Sequence, residues 1–502
     1  MKPQQLSLGH GAAEGAFRSG ICYVRYLRSA LPTVAAIAVA LASSIVLTLS
    51  GCASSAGISS DAKIVAPASV GIDTSAPAMP AVAADWWRGF GDTTLTTLIE
   101  QAMSGNPTLK VAQARLTRAE AAVSGAKSAD GPQVNGSVDI TRQLYSANSI
   151  YPPPLGGGIY TFANGQVDAS WELDFFGRNR AAIEAAVGTQ RAAEAEMQAA
   201  RVLLASNVAR NYVQLGRLFE QREVAVRSLK QRDETLALIN QRVQGGLDTA
   251  VEQRQGEGAL PETRQQIEQL DEQITLTRHA LSALTAQPPN ALDNLVVPLS
   301  TVKAVAVPAT LPADLLGRRA DITAARWRIE AATSDMKAAK ASFYPNINLT
   351  AFVGLQSIGL DKFVRSGSEQ YGAGPAISLP IFDSGRLRAN LRVKAADVDG
   401  AVESYNGAVL DAVHDVADQL SSLRAIDRQQ IEQTRAQAAA ESAYDLAMQR
   451  YKAGLGTYLT VLTAESNVLT QRRLAADLKA RALDTQITLI RSLGGGYTGS
   501  AI

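Results

Sequence analysis

The fold is decided by a stretch that occurs twice, as QRVQGGLDT at residues 241–249 and as QRYKAGLGT at residues 449–457. The second copy starts 208 residues after the first. In both copies a glycine is followed by a leucine and, two residues later, by a threonine. Glycine commonly ends a helix and threonine caps the next one, so each stretch predicts a turn between two helices. Self-similarity at a fixed distance is the signature of an internally repeated architecture.

Two further landmarks repeat in the same order. Gly177–Arg178 and Gly385–Arg386 are again 208 residues apart, whereas Pro132 and Pro345 are 213 apart. The first half therefore carries five additional residues between its proline and its Gly-Arg pair. We assign them to the Pro- and Gly-rich stretch 152–158. Three landmarks with nearly constant spacing predict that the chain is an internal duplication.

Each half has the same predicted plan of a helix, two strands, a very long helix and a return helix. The leading helices end before the prolines, which cannot continue them. Each long helix, free of proline, would be about 95–100 Å long at 1.5 Å per residue. Leu483, Ile487 and Ile490 form a coiled-coil seam in the last helix. The predicted bounds are 107–128, 134–142, 166–173, 179–244 and 249–286 in the first half, and 319–342, 347–353, 371–379, 387–452 and 457–493 in the second.

The predicted strands alternate between apolar and polar residues, as in the run from Val134 to Thr141. A period of two places the apolar residues on one face of a sheet and the polar residues on the other. A sheet that spans a membrane must be closed, and small closed barrels need about eight strands or more. If these four strands cross a membrane, several copies of the chain must combine, and three copies would supply twelve strands.

Aromatic residues lie near the ends of the predicted strands. They fit girdles at a membrane interface and packing within hairpins about equally well, so they favour neither interpretation alone. These residues are Tyr145, Tyr151, Tyr160, Phe162, Trp171, Phe343, Tyr344, Phe352, Phe363 and Tyr371.

The N-terminus is typical of an exported chain. Arg25 and Arg28 precede an apolar run, Leu31–Leu49, which leads to the string Leu-Ser-Gly-Cys ending at Cys52. That string resembles a bacterial lipoprotein box, which predicts a signal peptide at residues 1–51 and acylation of Cys52. A plain transmembrane anchor is the alternative, because the run approaches the ~20 residues that span a bilayer. Ala53, rather than aspartate, follows the cysteine and implies the outer membrane by the same resemblance.

Residues 52–84 are rich in Ala, Ser, Pro and Gly, and we predict an extended tether between the lipid and the folded body.

The composition of the whole chain excludes several functions. Lys plus Arg number 48 and Asp plus Glu number 47, so no basic surface for nucleic acid is indicated. The two cysteines and three histidines give no metal-binding pattern, and no Gly-rich phosphate-binding loop follows a strand. We expect no catalytic residues, no metal and no cofactor.

The duplicated plan, the Gly-Leu turns and the lipoprotein box together resemble the TolC-like outer membrane factors, in particular their lipoprotein (NodT-type) branch. The opening string Trp86–Asp92 and the string Arg318–Ile322 strengthen this resemblance, which covers roughly residues 85–494. It implies a mainly helical trimer in which a twelve-stranded β-barrel continues into a long periplasmic helical barrel. It also implies two repeats, 85–287 and 319–494, an equatorial connector at 288–318, and a C-terminal tail at 495–502.

The resemblance further implies partners and contact sites. The partners would be a periplasmic adaptor protein and an inner-membrane transporter of the proton-driven (RND) drug-exporter class. The two helical turns would meet the adaptor, and the Gly-Arg pairs Gly177–Arg178 and Gly385–Arg386 would form the strand-to-helix turns. The predicted adaptor contacts are Arg242, Gly246, Leu247, Thr249, Arg450, Gly454, Leu455 and Thr457.

The same resemblance places a periplasmic gate at the start of the last helix, formed by Tyr458, Leu459, Thr460 and Thr463. Thr460 and Thr463 stand where the family often has aspartate, so we expect closure by apolar contact rather than by a ring of carboxylates. Glu465 would supply charge one turn away. Alternatively, the leucines belong only to the coiled-coil seam, and the constriction lies at Asp248 or Glu252 in the first-half turn.

Two classes of function fit these sequence features. The first is a passive outer-membrane conduit for small molecules, with protein secretion as an alternative cargo. The second is a structural coiled-coil lipoprotein without a pore. The strand pairs favour the conduit, because a tether needs no hairpins that could close into a barrel.

Overall fold

The computed structural model describes residues 54–72, 82–305 and 315–497. The predicted signal peptide and Cys52 lie outside these ranges. In the first half, the helices are α1 (Thr93–Gly105), α2 (Pro107–Ser128), α3 (Arg178–Gln244) and α4 (Ala250–Leu284), and the strands are β1 (Gln133–Leu144) and β2 (Ile159–Leu173). In the second half, a four-residue helix (Leu315–Arg318) precedes the helices α5 (Ala320–Ala341), α6 (Arg386–Lys452) and α7 (Tyr458–Ser492), and the strands are β3 (Asn346–Ile358) and β4 (Glu369–Ser378).

The order helix, strand, strand, long helix, return helix thus occurs twice, as the duplication predicts. The two long helices have 67 residues each and begin one residue before their predicted starts. The glycines before them, Gly177 and Gly385, have φ of 75° and 85°, a left-handed conformation that glycine adopts without strain. This turn redirects each hairpin into its long helix.

All four strands differ from their predicted bounds, and the largest differences are in β2 and β3. β2 begins at Ile159 rather than 166, and β3 continues to Ile358 rather than 353. The additional residues of β2 and β3 lie opposite one another, from Phe162 paired with Ile358 onward. Pairing between distant segments therefore extends both strands beyond what local alternation indicates.

The four strands form one antiparallel sheet in the order β1-β2-β3-β4. Its central pair, β2 with β3, joins the two halves, with Leu173 opposite Ile347 at one end. β1 and β4 are the two edges, and each pairs with a single neighbour among the described strands.

The largest hydrophobic cluster lies where α1, α3, α4 and α7 meet the connector after α4. Leu281, Val297 and Leu299 have no exposed surface there. Gly216 of α3 leaves the space that Leu299 fills, since a Cβ at this glycine would stand 2.7 Å from the Leu299 Cδ2. The predicted seam of α7 is buried in the same cluster, with Ile487 fully inaccessible. This cluster fixes the bases of both helical hairpins.

The described part of the predicted extended tether, residues 54–72, is bound to the folded body. It lies along α6, where the Asp399 Oδ1 accepts hydrogen bonds from the Ser60 hydroxyl at 2.6 Å and from the Ala62 amide at 3.0 Å. Asn406 accepts from the Val65 amide and donates to the Lys63 carbonyl. An extended segment cannot satisfy its own backbone groups, and these side chains supply the missing partners.

Among the residues that the structure describes, no helix is both long and apolar enough to cross a membrane.

Candidate functional site

The register of the sheet sorts its side chains onto two faces of opposite character. Directly paired residues share a face, and alternate residues along a strand change face. One face is almost entirely apolar, with only Arg142 and Glu369 charged among its paired residues. Its large side chains are mostly exposed in the single chain: Val134, Val138, Ile140, Leu144, Ile159, Val167, Trp171, Leu349, Val353, Tyr371 and Ile377.

The other face is polar and carries carboxamides, hydroxyls and carboxylates. Gln370 donates to the Asn164 Oδ1 at 2.7 Å, and Gln166 donates to both carboxylate oxygens of Asp168 at 3.0 and 3.1 Å. No Lys or Arg occurs among the register-paired residues of this face. Its polar members are Gln133, Asn135, Ser137, Asp139, Thr141, Gln143, Asn164, Gln166, Asp168, Ser170, Glu172, Asn346, Asn348, Thr350, Gln356, Gln370 and Ser378.

Two groups can be distinguished among the aromatic residues near the strand ends. Tyr145 is buried and makes edge contacts with Tyr151 and Tyr160, which is packing within the first hairpin. Trp171 and Tyr371 are exposed on the apolar face. Girdle positions therefore stay a prediction for the exposed group, while the first group has a packing role.

The two Gly-Arg turns lie where the sheet joins the long helices. The Arg178 guanidinium contacts the Glu172 carboxylate at 2.5 Å, so an acidic residue at the end of β2 is neutralised by the first residue of α3. In the second half, Asp383 accepts from the backbone amides of Gly385 and Leu387 and so caps the start of α6.

The first helical tip, residues 241–252, is tightly held by its own side chains. Gly246 has φ of 72°, as a glycine that ends a helix often does. Thr249 and Glu252 form a reciprocal capping box at the start of α4. Arg242 makes an ion pair with Asp248 at 2.9 Å, and the two side chains are only 11% and 9% exposed.

The second helical tip, residues 449–460, has the same backbone turn with fewer side-chain contacts. Gly454 has φ of 74°. Thr457 precedes α7 without a side-chain capping bond, and its hydroxyl instead lies 3.1 Å from that of Thr460. The Arg450 guanidinium donates to the Leu455 carbonyl at 3.4 Å. Leu455 and its counterpart Leu247 are 70% and 69% exposed, so both tips present an apolar side chain outward.

The two tips are connected by Tyr451. Its hydroxyl donates to the Asp248 carboxylate, and the Arg242 guanidinium lies 4.6 Å from the centre of its ring. Burial alone would raise the pKa of Asp248, but hydrogen bonds from Arg242 and Tyr451 hold that pKa below its ordinary value. The charged carboxylate thus anchors a residue of each tip.

The predicted gate residues divide by exposure. Leu459, Thr460 and Thr463 are exposed on one side of α7, in the groove that this helix forms with α6. Tyr458 was wrongly included, because it is 3% exposed and packs in a cluster with Ile239. Position 458 follows the helix cap directly, and the first turn of α7 directs this side chain toward α3 rather than into an open space.

Glu465 is not the exposed charge that the sequence suggests. It is buried and makes an ion pair with Arg232 of α3 at 3.1 Å. Arg232 also donates to the Ala259 carbonyl and to Thr263 of α4. Burial raises the pKa of Glu465, although Arg232 opposes this shift. A charged residue between Val461 and Val468 on one helical face was the available signal for such a buried pair.

Across the described ranges, no group of three or more His, Cys, Asp or Glu side chains is arranged to hold a metal ion.

The candidate site consists of a two-faced sheet at one end of the chain's fold and two linked helical tips at the other. Such an arrangement defines an elongated outer-membrane channel protein rather than a compact globular domain.

Comparison with known proteins agrees with this class. The model of the outer membrane efflux protein family matches residues 98–287 and 311–495, and the chain belongs to that family. It is an outer-membrane component of efflux pumps. The predicted resemblance and the predicted fold class, mainly helical with four antiparallel strands, are confirmed.

Individual relatives are similar along most of their length. The putative multidrug resistance outer membrane protein MdtQ of Escherichia coli K12 is 35% identical over 437 residues, which cover 85% of this chain and 91% of MdtQ. MdtP of the same strain, a multidrug resistance outer membrane protein, is 33% identical over 435 residues, covering 84% and 88%. The crystal structure of the outer membrane protein VceC from Vibrio cholerae has a TM-score of 0.78 at 34% identity, covering 83% of this chain and all of VceC.

Proposed function

We propose that the protein is the passive exit duct of a tripartite small-molecule efflux pump, catalyses no reaction, and works as a trimer. The observation that carries this proposal is the sheet with one apolar and one polar face and two singly paired edges. Lipid cannot satisfy the backbone groups of an open edge, so the edges β1 and β4 need strands from other copies. Three chains would close a barrel of twelve strands with the apolar face toward lipid.

The trimer is tested by mass measurement of the purified full-length protein in detergent and by single-channel recording in planar bilayers. The face assignment is tested with two neighbouring residues of β1. Val138→Arg places a charge on the proposed lipid face, at a cost of about 2–4 kcal/mol near the bilayer centre. Ser137→Arg places the same charge on the proposed lumen face.

We expect Val138→Arg to abolish assembly and Ser137→Arg to leave the trimer intact with altered conductance. Equal tolerance of both variants, or a monomeric channel-free protein, would contradict the duct. A monomeric protein without channel activity would instead favour a structural coiled-coil lipoprotein. That function does not explain why one face of the sheet is apolar and the other polar.

Lipid attachment at Cys52 is the second part of the proposal. It is supported by the lipoprotein box and by the docking of the following segment, whose Ser54 carbonyl is bound by Arg388 near the start of α6. Acyl chains on a cysteine two residues before Ser54 would then enter the membrane beside the sheet–helix junction. Mass spectrometry should find a diacylated or triacylated Cys52 as the mature N-terminus, and an unmodified N-terminus elsewhere would refute this.

The tips are proposed to bind the periplasmic adaptor, which links the duct to an inner-membrane transporter of the RND class. The support is the pair of exposed leucines, Leu247 and Leu455, at equivalent turns. An apolar side chain at an exposed turn gains free energy when a partner covers it. Leu247→Asp or Leu455→Asp should abolish export while trimers remain. Normal export by both variants would exclude the tips as the contact.

The resting gate is proposed to lie at Leu459, Thr460 and Thr463, the exposed predicted residues of α7. Three copies of Leu459 around a threefold axis would narrow the duct by apolar contact. Leu459→Ala should raise the resting conductance of the reconstituted trimer. Unchanged conductance would move the constriction to the first tip, at Asp248 or Glu252. The two possible cargo classes, small molecules and proteins, are distinguished by a separate experiment. The chromosomal gene is deleted, and both the tolerance of the cells to small molecules and their protein secretion are measured.

A further inference from the structure

The polar face of the sheet contains a hydrogen-bonded row of side chains that crosses three strands. The row starts at Gln370 on β4, continues through Asn164 and Gln166 on β2, and ends at Asp168. β3 lies between these strands, and its residue in this register is Gly354. The side chains of β2 and β4 meet directly because Gly354 places no side chain between them.

The space at Gly354 is narrow enough to require glycine. A Cβ there would stand 2.4 Å from the Gly165 carbonyl oxygen and 2.7 Å from the Gln166 Cα. The sheet thus keeps a gap over β3 that Gln370 crosses to reach Asn164 and Gln166. Because Gln166 is held from one side by Gln370, its amide nitrogen stays directed at both oxygens of Asp168.

Among the carboxylates of this face, Asp168 is the one that the hydrogen-bonded row holds in place. Glu172, on the same strand, is neutralised by Arg178 at 2.5 Å. Asp139 is exposed on the edge strand β1 and lies opposite Asn164 in the register. Asp168 has a carboxamide as its hydrogen-bond partner, and no Lys or Arg occurs among the register-paired residues of this face. Its negative charge is therefore oriented but not compensated.

We propose that Asp168 sets the ion preference of the duct, forming with its counterparts in the other two chains a carboxylate ring inside the barrel. This inference rests on the proposed trimeric duct. A ring of like carboxylates attracts cations and opposes anions passing through its plane. The open duct accordingly favours cationic solutes over anionic solutes of equal size, and this selection occurs in the barrel rather than at the uncharged threonines of the second tip.

The test is the reversal potential of single open channels of the purified full-length trimer in a potassium chloride gradient. The unmodified protein should pass potassium in preference to chloride. Asp168→Asn, which keeps the shape and can still bond Gln166, should lower the permeability ratio several-fold. Asp168→Lys should shift the preference toward chloride. The matched control is Glu369→Gln, which removes a carboxylate from the opposite, lipid-directed face of the same sheet.

The outcomes separate this inference from the proposal on which it rests. A protein that forms no trimer or shows no channel events refutes both. A conducting trimer whose reversal potential is the same with Asp168→Asn refutes the ion-preference inference alone. An equal shift with Glu369→Gln also refutes it, because the effect would then come from overall charge rather than from the lumen. Native gels of each variant confirm that the trimer persists.

Discussion

The two helical tips share a backbone turn but differ in how they are held. In the first tip, Arg242 pairs with Asp248 and a capping box orders the start of α4. At the equivalent positions 456 and 460 of the second tip stand a glycine and a threonine, which provide neither contact. The second tip instead depends on the first, through the hydrogen bond from Tyr451 to Asp248.

The difference indicates which tip moves. A hairpin that is ordered by its own side chains keeps its shape when its neighbour departs, whereas the second tip loses its main polar contact on separation. Opening of the duct should therefore displace the α6–α7 hairpin, with the α3–α4 hairpin as the stationary support. Substitutions at the contacts that hold each tip can break this asymmetry.

Removal of Asp248 should affect the resting state most. Asp248→Ala deletes the partner of both Arg242 and Tyr451, and hydrogen bonds to charged groups contribute about 1.5–3 kcal/mol each. The resting conductance of reconstituted trimers should rise by roughly tenfold or more. The matched variant Gly456→Asp adds a carboxylate at the equivalent position of the second tip and should not close the duct further. A resting conductance unchanged by Asp248→Ala would remove the asymmetry between the tips.

Loss of the Tyr451 hydroxyl should have a smaller effect. Tyr451→Phe breaks the connection between the tips but preserves the Arg242–Asp248 ion pair and the packed ring. Resting conductance should rise by a few-fold, consistent with about 1–2 kcal/mol for one such bond. Tyr458→Phe is the control, because this ring is buried in the same cluster. If both substitutions act alike, packing rather than the hydrogen bond holds the tips together.

A capping box can be installed where it is missing. Thr460→Glu would give the second tip the Thr-x-x-Glu pattern of the first, with Thr457 as the cap residue, and such caps contribute about 0.5–2 kcal/mol. Hydrogen exchange at the start of α7 should slow by several-fold. Thr463→Glu, one turn later and outside the capping position, should leave exchange unchanged. Equal protection in both variants would mean that added charge, not capping, orders the tip.

Two contacts link the hairpins: the Glu465–Arg232 ion pair and the hydrogen bond from Tyr451 to Asp248. Their contributions to docking should change with pH in opposite directions. The pKa of Glu465 is raised in the docked state by burial, so its contribution to docking is present at low pH and is lost as pH rises through that raised value. The pKa of Asp248 is lowered, so its contribution is present above the ordinary carboxyl range and is lost as pH falls through the lowered value.

As the pH falls from neutral, protonation of Glu465 should strengthen docking, so the resting conductance should first decrease. In more acidic solution, protonation of Asp248 should weaken docking, so the resting conductance should then increase. Glu465→Gln should abolish the first phase and retain the second. This is the smallest expected effect, and it is measured as conductance across a pH series. A monotonic profile in the unmodified protein would show that the two carboxylates do not act in opposition.

Much of the fold followed from local pattern and from the duplication. The long helices have no proline, and their starts are fixed by Gly177 and Gly385, so both ends could be placed within one or two residues. The tip turns were equally clear, since Gly246 and Gly454 have the left-handed backbone that the sequence indicates.

What the sequence did not show depends on contacts between distant segments. Tyr458 and Glu465 are buried partly by contacts with α3, a helix distant from them in the chain. The segment 54–72 has the composition of a linker, yet Asp399 and Asn406 of α6 provide partners for its backbone. The alternation of the strands predicted two faces, but the row from Gln370 to Asp168 requires the pairing register across Gly354.

The central pairing of the sheet has a consequence for the order of folding. β2 and β3 are neighbours in space, but Leu173 and its partner Ile347 are separated in the chain by one complete helical hairpin (α3 and α4), the connector after it and α5. Closing such a long loop is slow, and β3 cannot pair before the second half of the chain has reached the same compartment. Until then the first hairpin exposes an unpaired strand edge and an apolar face, a state that is prone to aggregation. Newly exported chains should therefore depend on a periplasmic chaperone during the interval between the arrival of the first and second hairpins.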